Sequence, residues 1–533
     1  MTQARTLSNG RGVLLDSFLS SGAHVHPDRI AVVDRAGPHT YGEVESGVQS
    51  LAAALVRIGI QKGEVVSWQL PNTVDAAIIH TAILRVGAIS GPIPLIYRTH
   101  ELASILGQSG TRVVFVPEEF GGTDFPKVIS SVRPELPRLE RVVVIEASRP
   151  LDAGAQAFEE FIADVEPVGV AFPHRDPDDP AAVIFTSGTG ADPKGALHTH
   201  KTLGACLSST METFGLTGTD SVFNPSPVSH VGGLIFGLIL PFALGSRVVL
   251  QDRWNPSDGF DAMQEWHPTF MVAVPTFLQG LIDEGAKRGV KGCSLRTFLC
   301  GGAAVSTQLI ARAEEVLECI ASRNYGSTEC PNLTGSGPLA DFTTRAETDG
   351  YPVTGCEVRI VDEDGQPVAA GSIGEISCRA PQLMSGYLGQ HSSPFDPDGW
   401  LRTGDMGSLD DSGRLHVQGR KKDIIIRGGQ NISSVEVEDV LRQHNAIADV
   451  ALVGIPDVKL GERVCAFIIP SGETVPTIEE LGRFLQMRGL ARQKTPEVVV
   501  QLASFPVTDS GKVRKSDLRE RAKKLAAEQG FSR

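Results

Sequence analysis

Apolar positions recur along this chain at two spacings, and the switch between them marks the elements. Short β-branched runs at 30–33, 65–70, 113–116 and 142–145 predict strands, and their continuous apolar character predicts burial on both faces. Between them, residues 41–58 carry Val44, Val48, Leu51, Ala54, Leu55 and Ile58 at helical spacing. Residues 73–86 also read as a helix, with Asn72 as its cap. Strand character returns at 246–250 and 270–274. Such alternation predicts α/β layers, with ligand sites at the carboxyl ends of strands.

Near residue 350 the pattern changes. Runs at 357–361, 374–378 and 413–417 are short strands parted by Gly, Asp and Pro turns, which predicts a small β-rich subdomain. Beyond Arg420 a second compact α/β unit follows, with helices expected at 435–443 and 478–487 and strands at 449–453 and 464–469. The expected fold is therefore α/β: a large N-terminal domain (1–420) of stacked α/β subdomains plus the β-rich unit, and a small mobile C-terminal domain (421–533). The most apolar stretch, 231–245, is interrupted by Gly232, Gly233, Gly237 and Pro241 and falls short of the about 20 residues a membrane span needs. It predicts a buried helix.

Composition narrows the class. At 533 residues the chain is too long for one core. Its 41% hydrophobic and 21% charged residues are ordinary for a globular protein. A net charge of −14 argues against general nucleic-acid binding. The eight cysteines contain no C-x-x-C pair, and residues 1–12 hold no apolar leader core, so a reducing cytoplasm is expected.

The richest chemical signal is Phe185-Thr-Ser-Gly-Thr-Gly-Ala-Asp-Pro-Lys194. Glycines let backbone N–H groups face an anion, hydroxyls donate further, and lysine adds charge, so the segment suits phosphates. It is not a G-x-x-x-x-G-K-[ST] loop. Downstream lie Asn324-Tyr-Gly-Ser-Thr-Glu329, Trp400-Leu-Arg-Thr-Gly-Asp405, the run from Gly419 to Asn431, and Pro506-Val-Thr-Asp-Ser-Gly-Lys512. Together and in this order, these segments resemble the motifs of the adenylate-forming superfamily: acyl-CoA synthetases, aryl-CoA ligases, peptide-synthetase adenylation domains and luciferases. The resemblance is greatest to acyl-CoA synthetases of medium-chain or cyclic acids.

The resemblance implies ATP, Mg²⁺ and CoA as cofactor and co-substrates, and a role for each segment. Thr186, Ser187, Gly188, Thr189 and Lys194 would grip the β- and γ-phosphates. The family's commoner T-S-G-T-T-G-x-P-K-G is altered here, with Gly190 and Ala191 in place of threonine and glycine, so one hydroxyl is missing. Gly302, Ala303 and Ala304, with Asn324, would flank the adenine, and Tyr325 would stack on it. Thr328 would bond the α-phosphate and Glu329 would hold Mg²⁺, as a hard carboxylate oxygen suits. Asp405 would accept from the ribose hydroxyls, with Arg420 beside it. Lys512 would bridge the substrate carboxylate and the α-phosphate. Lys422 would be the hinge of a domain rotation, after which Gly428 and Gly429 leave room for a pantetheine arm.

The acid pocket is expected around His230, Val231, Gly232, Phe236, Gly302, Gly326, Ser327 and Leu333, and residues 223–236 contain no Asp to hold an α-amino group. A medium-chain or alicyclic acid is the first expectation and an aryl acid the second. An amide-forming or carrier-loading ligase remains an alternative, as does a non-catalytic acyl-nucleotide binder. No carrier attachment site is evident after residue 520, and no early G-x-G-x-x-G marks a dehydrogenase. No membrane span and no nucleic-acid partner are expected, and a homodimer is among the expected assemblies.

Overall fold

The computed structural model describes residues 12–529 apart from 153, 164, 166–168, 187–192, 391, 429, 458–459 and 509–510. Ser187, Gly188, Thr189 and Gly429 therefore lie outside the described residues, as does the altered Gly190–Ala191 pair.

Two large sheets organise the N-terminal domain. One has nine strands and is parallel through its middle, where Phe270–Ala273, Thr297–Gly301 and Ile320–Tyr325 lie side by side. The other has eight strands and is built around the parallel strands Val65–Trp68, Ile89–Pro92, Val113–Pro117 and Arg141–Ile145. Strand alternation assigns their faces. Val32 and Val248 of the first sheet and Val66 and Phe115 of the second share one core with helices Tyr41–Arg57 and Val74–Arg85, which are sandwiched between the sheets. The neighbouring residues point outward. Val33 and Val249 pack with Phe260 and Leu278, whereas Val65 and Val114 pack with Leu102 and Ile129. The result is helix, sheet, helix, sheet and helix in layers, as the alternation predicts.

A four-stranded antiparallel sheet follows (Glu357–Val361, Gly374–Arg379, Leu401–Leu409 and Leu415–Arg420). The small C-terminal domain has a separate sheet containing Ile447–Asp457 and Gly461–Pro470, covered by helices Ser434–Leu441, Ile478–Met487 and Lys515–Gln529. Ser433 ties the two together. Its hydroxyl donates to Gln418 O at 2.7 Å while also accepting from Glu436 N to cap its own helix.

One local expectation changes. Asn72 does not cap helix Val74–Arg85. Its side chain instead bridges Ser226 O and Gln251 O, each at 2.9 Å, and accepts from Val228 N. The cap comes from another strand, because Val74 N donates to Asp34 Oδ2 at 2.8 Å. The apolar stretch at 231–245 is a buried helix as expected, with a π-helical middle, Gly233–Ile239, followed by helix Leu240–Leu244. Pro241 has no N–H to donate to the preceding turn, and Gly233 on Pro227 O and Gly237 on Asn224 are packed too closely for any side chain. The phosphate-type loop joins two antiparallel strands, Pro180–Thr186 and Lys194–Thr199. Among the described residues no helix is long and apolar enough to cross a membrane.

Candidate active site

The carboxyl ends of the nine-stranded sheet frame the site. Strand Thr297–Gly301 pairs in parallel with Ile320–Tyr325, placing Gly301 opposite Asn324. Only glycine fits at 301, since a Cβ there would fall 2.3 Å from Asn324 Oδ1. That amide oxygen is buried and has no donor among the described residues. It is an acceptor suited to an exocyclic amine. Gly302 and Ala303 are exposed at the turn, and Ala304 is half-buried.

The next segment turns sharply. A Cβ on Gly326 would meet Asn332 N at 2.5 Å and Cys330 O at 3.1 Å, and the turn closes through Ser327 N to Cys330 O at 3.1 Å. Thr328 is fixed from behind by the buried His198, whose Nε2 lies 2.8 Å from Thr328 O. Burial lowers the His198 pKa to about 4, so the ring is neutral and donates to that carbonyl from Nε2.

A buried carboxylate is placed by strand pairing. Asp405 faces Arg420 across the antiparallel pair of strands Leu401–Leu409 and Leu415–Arg420. Arg420 Nε lies 2.8 Å from Asp405 Oδ1, and Tyr325 donates its hydroxyl to Asp405 Oδ2 at 2.6 Å. Burial raises the Asp405 pKa and outweighs the opposing pull of Arg420 and Tyr325. The Tyr325 hydroxyl is pushed well up, by burial first and by Asp405 second. Half of the Arg420 side chain stays exposed, so the cation remains open to an anionic ligand.

Lys512 arrives from the C-terminal domain on a tight turn, with Thr508 N bonded to Lys512 O at 2.7 Å and Gly511 at φ +77°. Its side chain lies on Gly302: a Cβ built there would fall 3.3 Å from Lys512 Cε and 3.5 Å from Nζ. Gly511 itself sits against Thr276 and Val274. Lys512 is exposed to solvent as a residue, while protein atoms crowd around its ammonium. Burial first, then Arg420, lowers its pKa, and Asp405 opposes this. His230 is near enough to feel the ammonium. Burial and then Lys512 bring its pKa down to about 4, so its imidazole is neutral at ordinary pH.

The structure thus brings Gly302, Asn324, Tyr325, Thr328, Asp405, Arg420, Lys512 and His230 to one region. Lys194 starts strand Lys194–Thr199, and Thr186, its register partner, closes the other side of the loop. Lys422 lies in a single turn, Lys421–Asp423, steadied by Arg519, which donates to Asp423 and to Lys422 O. Gly428, at φ +57°, donates to Leu460 O within the C-terminal sheet.

Glu329 fits a cation site. Its Oε1 accepts from the Tyr387 hydroxyl at 3.0 Å, and among the described residues it has no ion pair. Among the described residues no group of three or more His, Cys, Asp or Glu is arranged to hold a metal. Mg²⁺ here would take one carboxylate together with phosphate oxygens and water, its usual habit. The sequence reading missed Tyr387 and His198. Tyr387 belongs to a two-residue strand, Gly386–Tyr387, too short to leave a periodicity. His198 had a signal, as a histidine inside an apolar strand run.

Comparison with known proteins follows this geometry. Residues 19–388 match the AMP-binding enzyme family and residues 436–512 match the AMP-binding enzyme C-terminal domain. The chain is 32% identical to the medium-chain fatty-acid–CoA ligase of Escherichia coli (strain K12), over 95% of this chain and 90% of that one. It is 31% identical to the 3-[(3aS,4S,7aS)-7a-methyl-1,5-dioxo-octahydro-1H-inden-4-yl]propanoyl:CoA ligase of Mycobacterium tuberculosis, over 93% and 96%. Among solved structures, the anthranilate CoA ligase AuaEII in complex with anthranoyl-AMP superposes with a TM-score of 0.88 at 26% identity, covering 97% of this chain and 98% of that one.

Proposed function

The chain belongs to the AMP-binding enzyme family, and from that premise we propose that it is an ATP-dependent acid–CoA ligase working through an acyl-adenylate. The observation that carries the reading is Lys512 lying on Gly302, beside Asp405, Arg420 and His230. An acid and a triphosphate are both anions, so the reaction needs charge neutralisation and alignment more than covalent help.

In the first step a carboxylate oxygen attacks the α-phosphorus of ATP, the bond to the bridging oxygen breaks, and pyrophosphate leaves. Lys512 neutralises the approaching carboxylate and the α-phosphate oxygen, and Thr328 donates to the same phosphate. Asp405 accepts from the ribose hydroxyls. Asn324 Oδ1 accepts from the adenine amine, and the Tyr325 ring covers the base. Lys194 and Thr186 hold the outgoing phosphates. Glu329 would hold Mg²⁺, which would supply further charge neutralisation when bound. In the second step the CoA sulfur attacks the acyl carbonyl, the thiol proton passes to solvent, and AMP leaves. Lys422 is the hinge between the two arrangements, at the boundary of domains 1–420 and 421–533, and the Gly428–Gly429 turn admits the pantetheine arm.

The acid is of medium chain length, alicyclic or aryl. A Cβ on Gly232 would meet nothing within 4 Å, so open space lies at Gly232, between half-buried Val231 and the buried run that includes Phe236. Leu333 is buried close to the Gly326 turn. The acids named for the three similar ligases fall in the same range. The test is pyrophosphate release with ATP and Mg²⁺ over a panel of such acids, with and without CoA, and products read by mass. Acyl-CoA and AMP from one acid class bear the reading out. Acyl-AMP alone transfers the acceptor to an amine or a carrier thiol. No release with any acid, together with no ATP binding, overturns it.

A further inference from the structure

We propose that Tyr387 is a positioning residue that sets both Glu329 and Lys194, one through its hydroxyl and the other through its ring face. The proposal rests on the ligase reading above, which puts these two opposite charges on the triphosphate.

The geometry is two-sided. The Tyr387 hydroxyl donates to Glu329 Oε1 at 3.0 Å, and Lys194 Nζ lies 5.5 Å from the Tyr387 ring centroid. That separation is within the range of a cation–π attraction. Neither Glu329 nor Lys194 is in an ion pair among the described residues, so the tyrosine is their shared neighbour.

The backbone around Tyr387 is pinned to both partners. Gly386–Tyr387 pairs antiparallel with Leu197 and Ala196, on the strand that Lys194 begins. Leu388 N donates to Gly195 O and Ser385 N to Leu197 O, each at 2.8 Å. Three residues before Tyr387, Met384 N donates to Glu329 O at 2.9 Å. The short segment is thus a clamp between the phosphate-loop strand and the metal-type carboxylate, and its one polar aromatic points between them. A tyrosine suits this place better than a second charge. A lysine would neutralise Glu329 and compete with the cation it is to hold, and a carboxylate would tie up Lys194.

Two substitutions separate the two contacts. Tyr387→Phe keeps the ring and removes the donor, whereas Tyr387→Leu removes both. ATP binding is measured by calorimetry on the full chain over a series of Mg²⁺ concentrations, a readout that needs no knowledge of the acid. Tyr387→Phe is expected to raise the Mg²⁺ concentration for half-maximal ATP binding by about 10-fold, while ATP binding without Mg²⁺ and the melting midpoint stay as in the parent. Tyr387→Leu is expected to weaken ATP binding without Mg²⁺ as well, by about threefold. Unchanged Mg²⁺ dependence in Tyr387→Phe, in a parent that binds ATP, overturns the proposal alone. If Tyr387→Leu does not fold, the Phe variant still decides. A parent that binds no ATP at any Mg²⁺ concentration overturns the ligase reading and the proposal with it.

Discussion

Replacing Gly302 with alanine is a sharp test of how the two domains meet, because its cost can be worked out at atomic level. Gly302 has φ +77°, a left-handed conformation that costs an L-residue about 1–2 kcal/mol. The new methyl falls 3.3 Å from Lys512 Cε, 3.5 Å from Nζ and 3.6 Å from Val274 Cγ1. The first contact is tighter than ordinary packing, and the lysine is the partner free to move. The lysine must give by a few tenths of an ångström, and since a misplacement of about 1 Å of an aligning group costs about 10² in rate, Gly302→Ala should slow acyl-adenylate formation by roughly 3–10-fold. Lys512→Ala alone should slow it by about 10²–10³.

The decisive assay is the double-mutant cycle. If the methyl acts through Lys512, Gly302→Ala should cost less than about twofold on the Lys512→Ala background, because the crowded side chain is gone. Adenylation is read as acid-dependent pyrophosphate release without CoA, with thermal melting run beside it to isolate the backbone strain. An equal loss on both backgrounds would refute the reasoning and make Gly302 a nucleotide contact independent of the lysine.

Other expectations follow from the same geometry. Asp405→Ala strips Tyr325 and Arg420 of their shared acceptor and the nucleotide of a charged one. The KM for ATP should rise by about 10–100-fold, at about 1.5–3 kcal/mol for a hydrogen bond to a charged group, and an unchanged KM would contradict the assignment. The pH profile of adenylation should lose its alkaline limb below the ordinary lysine range. The Lys512 pKa is lowered and the rate needs its ammonium, so activity is present below that pKa and lost as pH rises through it. His230, brought down to about 4, is already neutral near pH 6.5, and an inflection there that disappears in a His230 variant would contradict its environment. Gly326→Ala drives a methyl into Asn332 N and Cys330 O, backbone atoms that cannot swing away, so both stability and ATP binding should fall. Retention of both would mean that the 326–332 turn relaxes.

What the sequence made legible was chemistry carried by local order. Tyr325, Glu329, Asp405 and Lys512 stand in short segments that resemble one family's motifs, and the structure links Tyr325 to Asp405 and lays Lys512 on Gly302. The layered α/β fold was legible from β-branched runs alternating with helical spacing. What stayed hidden depends on contacts between distant segments. Asp34 caps helix Val74–Arg85 from a separate strand, so the adjacent Asn72 was the natural but mistaken choice. Within the π-helix Gly233–Ile239, Pro227 O and Asn224 leave no room for side chains at Gly233 and Gly237, a packing that no periodicity records. Tyr387 acts through a two-residue strand between partners 58 and 193 positions away in sequence (387−329 and 387−194).

Isotope exchange between pyrophosphate and ATP, with acid present and CoA absent, tests the acyl-adenylate most directly. Exchange should appear only when the right acid is added and should fall by about 10²–10³ in Lys512→Ala. Exchange without any acid, an absolute requirement for CoA, or release of ADP and phosphate in place of AMP and pyrophosphate would contradict the account.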